Sequence, residues 1–244
     1  LLIIFVTLHK FKRAFLRILT SSKLYERQIK IKNFEINYLK VGDGPHHVFC
    51  LPGVMGTIWS HFKKQIQGFD LNKFSLVIWD APGYGKSIAL DNDEALDKIS
   101  RDADTAYEFM KALQIPRYST LGWSNGGCVS LLLASRYPRV VDKAVVWACS
   151  TFLLPHELNY YYRIDLSNWS KRTKETMIKL YGEENLKKKI DNMVTAIESV
   201  SNAGGFCSSI KKVKCPTLIL YGSKDAIVDS SHLNYMKHLI EDSR

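Results

Sequence analysis

Gly122-Trp123-Ser124-Asn125-Gly126 joins an apolar run, Tyr118 to Trp123, to an apolar stretch from Gly126 to Tyr137 that stops at Pro138. The run reads as a buried strand, the stretch as a buried helix, and the pentapeptide between them has the G-x-S-x-G spacing of a sharp strand-to-helix turn. Such a turn crowds its neighbours, so small residues bracket the serine, and it lifts the hydroxyl above the carboxyl edge of a sheet. The N-terminal N–H groups of the following helix then point to where negative charge develops during acyl transfer. The five-residue pattern alone is common. Its strand-turn-helix setting makes Ser124 a candidate nucleophile instead of part of a structural glycine turn.

Working outward, strands alternate with helices, which implies a mostly parallel sheet with right-handed crossovers and flanking helices, an α/β architecture. Gln28 to Val41 reads as a β-hairpin turning at Lys32-Asn33, and His47 to Leu51 as a short strand. A helix follows Thr57, a plausible N-cap, with Trp59, Phe62 and Ile66 at helical spacing. Phe74 to Trp79 is the next strand; Leu96 to Leu113 carry the stripe of a long amphipathic helix; Lys143 to Cys149 and Thr217 to Tyr221 are further strands. The 67 residues between Cys149 and Thr217 exceed what one crossover needs, so about 152–205 reads as a helical cap. Within it, Ser167 is expected to cap a helix running to Gly182, and Leu186 to Val200 supply the stripe of a second, broken at Asn202 to Gly205.

Acyl transfer needs donors for the oxyanion as well as a nucleophile. One is expected from the backbone N–H of Asn125, the residue after the serine, and the other from Val54 in the loop Leu51-Pro52-Gly53-Val54-Met55-Gly56, whose glycines allow close approach. Gly53, Met55 and Asn125 are the expected substrate contacts. The acid should follow a later strand, since the order is serine, acid, histidine. Leu218 to Asp225 ends in such a carboxylate, and Ser150 to Pro155 holds none, so Asp225 is the candidate. Asp80 precedes the serine and reads as a loop-bracing residue. Of the histidines, only His232 and His238 follow Asp225, both in a helical stretch, and both read as helix-surface residues. The base is therefore expected beyond Arg244 with a further strand and helix, and the 244 residues alone are expected to be nearly inert.

The formal net charge of +10 suggests nucleic acid until it is located: residues 1–25 carry Lys10, Lys12, Arg13, Arg17 and Lys23 and no acid, half of the excess. The other lysines are scattered, with no basic run interleaved with aromatics, so a solvated surface is expected and no nucleic-acid partner. Ile4, Leu8, Phe11, Phe15 and Ile18 form one stripe of an acid-free, basic N-terminal segment, 1–25, which has the character of a mitochondrial presequence; mitochondrial or cytoplasmic placement follows, with no stable membrane insertion. Five cysteines without a C-x-x-C pair do not form a disulfide framework. No metal cluster or phosphate-binding glycine loop is evident, so no cofactor is expected, and residues 26–244 are expected to form one monomeric domain acting on a small-molecule ester.

Leu51-Pro52-Gly53-Val54-Met55-Gly56, Trp79 to Ser87, Leu121 to Gly127 and Tyr221 to Asp225, with Asp165 to Thr173 and Leu180-Tyr181-Gly182 in the cap, resemble the biphenyl hydrolase-like (valacyclovir hydrolase-type) family of the α/β-hydrolase superfamily. The resemblance implies an α/β-hydrolase fold and a serine esterase acting through an acyl-enzyme. It carries over Ser124 and Asp225 as triad members, with the histidine past Arg244. One departure concerns substrate: the family has an aspartate after the nucleophile to recognise the α-ammonium group of amino-acid esters, and this chain has Asn125, so the preference for cationic esters is expected to relax. Carbon–carbon bond hydrolysis on the same triad and a non-catalytic binding role are the alternatives. A dehalogenase is disfavoured because its nucleophile would be an aspartate.

Overall fold

The computed structural model describes residues 24–90, 97–202 and 209–244. The basic amphipathic segment, apart from Leu24 and Tyr25, lies outside them, as do Leu96 and the 203–205 part of the expected break in the cap.

In chain order the strands are β1 (Arg27–Ile31), β2 (Phe34–Val41), β3 (His46–Leu51), β4 (Phe74–Trp79), β5 (Ile88–Ala89), β6 (Tyr118–Trp123), β7 (Val141–Trp147) and β8 (Thr217–Leu220). The helices are α1 (Ile58–Gly68), α2 (Lys98–Ala112), α3 (Asn125–Arg136), α4 (Pro155–Tyr162), α5 (Lys171–Tyr181), α6 (Glu183–Asn202) and α7 (Ser231–Leu239). The sheet order is β1-β2-β4-β3-β6-β7-β8, with β5 beside β2. β1 and β2 are antiparallel, β2 meets β4 antiparallel, and from β4 to β8 every pairing is parallel. The expected mostly parallel α/β sheet is therefore present.

Alternation along the strands sorts side chains into two cores, because successive residues face opposite sides. Leu39, Cys50, Leu76 and Ile78 face one side, where α1 covers them with Ile58, Phe62 and Ile66. Phe49, Val77, Trp79 and Val146 face the other, under α2, α3 and the cap. Helix α1 begins as its sequence indicates: Thr57 caps Ser60 N–H and Ser60 Oγ accepts from Thr57 N–H.

The cap departs from the reading in two ways. Ser167 sits in a short 3₁₀ turn, Leu166–Asn168, capped by Asp165, and it is Ser170 that caps α5, accepting from Thr173 N–H. Four candidate oxygens lie within six residues there, and the Asp165 carboxylate takes the earlier turn. The additional helix α4, missed because its tyrosine-rich sequence lacks an apolar stripe, opens the cap with Pro155 in its first turn. Residues 242–244 also pair with β8, where no strand was expected before Arg244: Thr217 bridges Ser243 in parallel and Ile219 N–H donates to Arg244 O (2.8 Å). Three polar residues give no alternation from which to read a strand.

Candidate active site

Ser124 follows β6 directly, at φ 53° and ψ −123°, a conformation that costs a non-glycine residue about 1–3 kcal/mol. Three main-chain bonds hold it: Ser124 N–H donates to Trp147 O (2.9 Å), and Ser124 O accepts from Gly127 N–H (2.8 Å) and Cys128 N–H (3.2 Å). Serine at a helix N-cap ordinarily bonds the second or third N–H of the helix. Here the side chain makes no capping bond, so the half-buried hydroxyl is free for chemistry. The bracketing glycines are sterically required. A Cβ on Gly122 would lie 2.5 Å from Gly126 O, and one on Gly126 would lie 2.0 Å from Leu51 O.

The β3–α1 loop meets the elbow from the side. Gly53 lies so close that a Cβ there would stand 3.2 Å from Ser124 Cβ and 3.3 Å from Trp123 O. Gly53 to Gly56 form a turn closed by Gly56 N–H to Gly53 O (3.0 Å), with Met55 at φ 54° and its side chain buried. Val54 N–H takes no part in that closing bond, and Asn125 N–H, in the first turn of α3, has no carbonyl one turn behind it. The two expected oxyanion donors thus belong to the residue after Ser124 and to the residue after Gly53, which lies against Ser124.

His61, to which the sequence assigned no role, braces this loop. Its Nδ1 accepts from Gly53 N–H (3.2 Å), its ring stands edge-on to Trp123 at 4.1 Å, and a Cβ on Gly56 would overlap it. A histidine in the first turn after a Pro-Gly loop was the available signal. Burial lowers its pKa to about 4 from 6.5. The unfolded chain therefore binds more protons between those values, and stability should fall as pH drops through that window, by on the order of 2 kcal/mol. Urea midpoints at pH 7 and pH 4.5 check this: the acidic one is expected lower, with a smaller gap in His61→Gln, and equal midpoints in the parent would contradict it.

Asp225 lies beyond the carboxyl end of β8, on the same sheet edge as Ser124, since Trp123 registers with Trp147 and Trp147 with Leu220. Two strand spacings, about 10 Å, separate β6 from β8, too far for a direct bond and enough for an imidazole between. A groove of about 550 Å³ runs from Trp123 to Asp225 on the α1 side of the sheet, bordered by Leu121, Trp123, Trp147 and Leu220, with Gln65 of α1 and Phe69 just after it opposite; Ser124 does not line it. Asp225 Oδ1 accepts from the N–H groups of Ile227 and Val228 (both 3.0 Å), which fixes the carboxylate while Oδ2 has no hydrogen bond among the described residues.

The residues 46–181 match the model of the alpha/beta hydrolase fold family. The chain belongs to this family. It is 34% identical to Serine hydrolase BPHL of Mus musculus over 221 residues, covering 89% of this chain and 76% of that protein. It is 24% identical to a 2-hydroxy-6-oxononadienedioate/2-hydroxy-6-oxononatrienedioate hydrolase of Pseudomonas sp., covering 72% and 69%. Among solved structures, a 2-hydroxy-6-oxo-6-phenylhexa-2,4-dienoate hydrolase from Rhodococcus superposes with a TM-score of 0.76 at 17% identity, covering 91% of this chain and 89% of that one.

In this α/β hydrolase the loop after the elbow's neighbouring strands is mounted on the cap by a buried pair. His232 is not the helix-surface residue its sequence suggested; only 1% exposed, it stands opposite Glu157 of α4. His232 Nε2 donates to Glu157 Oε1 (2.9 Å), and Nδ1 accepts from Thr151 N–H (3.3 Å), which defines the neutral Nε2–H tautomer. Glu157 also accepts from the N–H groups of Leu154 (2.9 Å) and Asp229 (2.8 Å). Burial pushes the Glu157 carboxyl up, but the bonds from His232, Leu154 and Asp229 outweigh it and hold the pKa below the ordinary value. The helical reading was right, and the side was wrong because α4, its partner, was not foreseen. His238 is exposed as expected. His232→Ala removes the side-chain donor to the buried Glu157 carboxylate and should cost about 2–3 kcal/mol in urea unfolding, whereas a loss under about 1 kcal/mol would contradict this role.

Asp80 is a brace, as its place in the chain suggested. It accepts from Ile58 N–H (2.8 Å), Lys86 N–H (2.9 Å) and Asn37 Nδ2 (2.9 Å), tying β2, α1 and the 80–87 loop together. Cys50, Cys128, Cys149 and Cys215 are buried and form no disulfide with one another. Among the described residues no group of three His, Cys, Asp or Glu side chains could hold a metal ion, and no helix is long and apolar enough to cross a membrane.

Proposed function

We propose that the protein is a serine esterase that cleaves small carboxylic esters through an acyl-enzyme, with Ser124 as nucleophile. The observation that carries this reading is a serine held at φ 53° on a helix N-cap with its hydroxyl released from capping. Ser124 Oγ attacks the ester carbonyl, and the N–H groups of Val54 and Asn125 receive the charge that forms on the carbonyl oxygen. A histidine from a segment following Arg244 is the proposed base; standing between Ser124 and Asp225, it takes the hydroxyl proton while Asp225 Oδ2 fixes its tautomer. The proton then passes to the departing alcohol, and water completes the cycle by the same route. The protein is proposed to act as a monomer. BPHL relatives and the ester chemistry of this site support the reading.

The relatives named for 2-hydroxy-6-oxo dienoate hydrolysis favour a second reading, cleavage of an activated carbon–carbon bond on the same residues. A panel of an aryl ester, an aminoacyl ester and a vinylogous diketone, tested on the full-length protein, separates them: the esters are expected to turn over, and a protein that cleaves only the diketone would overturn the esterase reading. Within the panel, the carboxamide of Asn125 provides no charge for an α-ammonium group. The aminoacyl ester and its uncharged analogue should differ by less than about tenfold in kcat/KM, and Asn125→Asp should raise the ratio by about fivefold, the difference between a charged and a neutral hydrogen bond. A strong bias toward the charged ester in the parent would contradict the relaxed preference.

A further inference from the structure

We propose that Tyr181, the last residue of the cap helix α5, is a positioning residue for the oxyanion donor Val54, acting through a relay of two peptide groups. The inference rests on Ser124 and Val54 N–H acting as set out above.

The geometry is a chain of donors that all point one way. Gly85 N–H donates to Tyr181 Oη (2.8 Å), and Tyr181 Oη donates to Met55 O (3.1 Å). That carbonyl shares its peptide group with Gly56 N–H, which donates to Gly53 O at 3.0 Å. Gly53 O in turn shares its peptide group with Val54 N–H, the proposed donor to the oxyanion. Aligned hydrogen bonds polarise one another, so each carbonyl that accepts a bond makes the N–H of its own peptide a better donor. The same chain fixes orientation: Met55 is held in a left-handed conformation that a non-glycine residue resists, and the bond from Tyr181 holds the peptide that follows it.

The phenol is built to stay in place. Gly182, at φ 76°, ends α5 directly after it, so the ring is fixed at a helix terminus. Lys189 of α6 lies over the Tyr181 ring at 5.4 Å and over the Tyr84 ring at 5.6 Å, and its Nζ donates to Gly83 O (2.8 Å). Burial pushes the phenol pKa up, so the hydroxyl keeps the proton that the relay needs. His61 secures the other end of the turn through Gly53 N–H, but it belongs to the body of the domain. Tyr181 belongs to the cap. The consequence is that a cap seated on the sheet completes the oxyanion site, and a displaced cap weakens it.

Tyr181→Phe keeps the ring and its contact with Lys189 and removes only the hydroxyl. With a simple aryl ester and the full-length protein, kcat is expected to fall about three- to tenfold with KM changed less than twofold, the worth of one hydrogen bond expressed in the transition state. Inhibition by phenylboronic acid, which forms a tetrahedral adduct on an active-site serine, should weaken by the same factor, and thermal melting verifies that the variant is folded. An unchanged kcat, a loss confined to KM, or undiminished boronate affinity in a folded variant would overturn the relay. Ser124→Ala, run alongside, separates the two levels of the argument. Activity that survives it overturns the site reading and the relay together, whereas a Ser124-dependent enzyme indifferent to Tyr181→Phe overturns the relay alone.

Discussion

Ser124→Ala in the full-length protein is expected to lower kcat by about 10⁶, as much as removing an entire triad, with KM nearly unchanged. The size of the effect follows from the elbow. Nothing else in the described site presents a nucleophile beside the N–H groups of Val54 and Asn125, and the residual rate should be only what oxyanion donors and binding supply. The fold should survive, because the bonds that hold residue 124 are main-chain bonds to Trp147, Gly127 and Cys128. A companion variant probes the stored strain. Ser124→Gly removes the penalty of a side chain at φ 53°, so it should be equally inactive but more stable than Ser124→Ala, by about 1 kcal/mol or more. Retention of more than a few per cent of activity in either variant would mean that the nucleophile lies elsewhere.

Asp225→Asn is expected to lower kcat by about 10⁴ while leaving binding and stability close to the parent. The loop explains why the effect should be that selective. Oδ1 alone accepts the N–H groups of Ile227 and Val228, and an asparagine Oδ1 can keep both bonds. Its NH₂ then takes the place of the unbonded Oδ2, so a base that bonds there meets a donor in place of an acceptor and is driven to the wrong tautomer. A melting temperature within a few degrees of the parent, together with the lost turnover, separates this from unfolding. A loss under tenfold would point to another acid. Glu157 is the nearest rival in chemistry, yet both its oxygens are already committed to His232, Leu154 and Asp229.

The parts of the molecule that were legible in the sequence are those set by local pattern. The elbow could be read because a buried strand, a buried helix and crowding glycines leave one arrangement, and the Cβ distances at Gly122 and Gly126 show why. Strands β3, β4, β6, β7 and β8 were legible from short apolar runs, and Asp80 from its place before a turn; β5 was not, because two residues paired to β2 carry no pattern. What was missed depends on pairings distant in the chain. Glu157 and His232 are 75 residues apart and meet only when the cap folds onto the sheet. Tyr181 reaches Met55 across 126 residues, and His61 takes its meaning from the loop that it supports. A histidine in an amphipathic helix shows its spacing in sequence but not the side on which a partner will arrive. Ser167 against Ser170 was a competition among neighbouring caps that sequence spacing could not rank.

The central claim is that residue 124 carries the reactive hydroxyl of this serine hydrolase. Treating the full-length protein with a fluorophosphonate and mapping the adduct by peptide mass spectrometry tests it directly. The account predicts one phosphonate per chain, on Ser124, with no labelling of Ser124→Ala. A stoichiometric adduct on any other residue, or labelling that persists in Ser124→Ala, would contradict it.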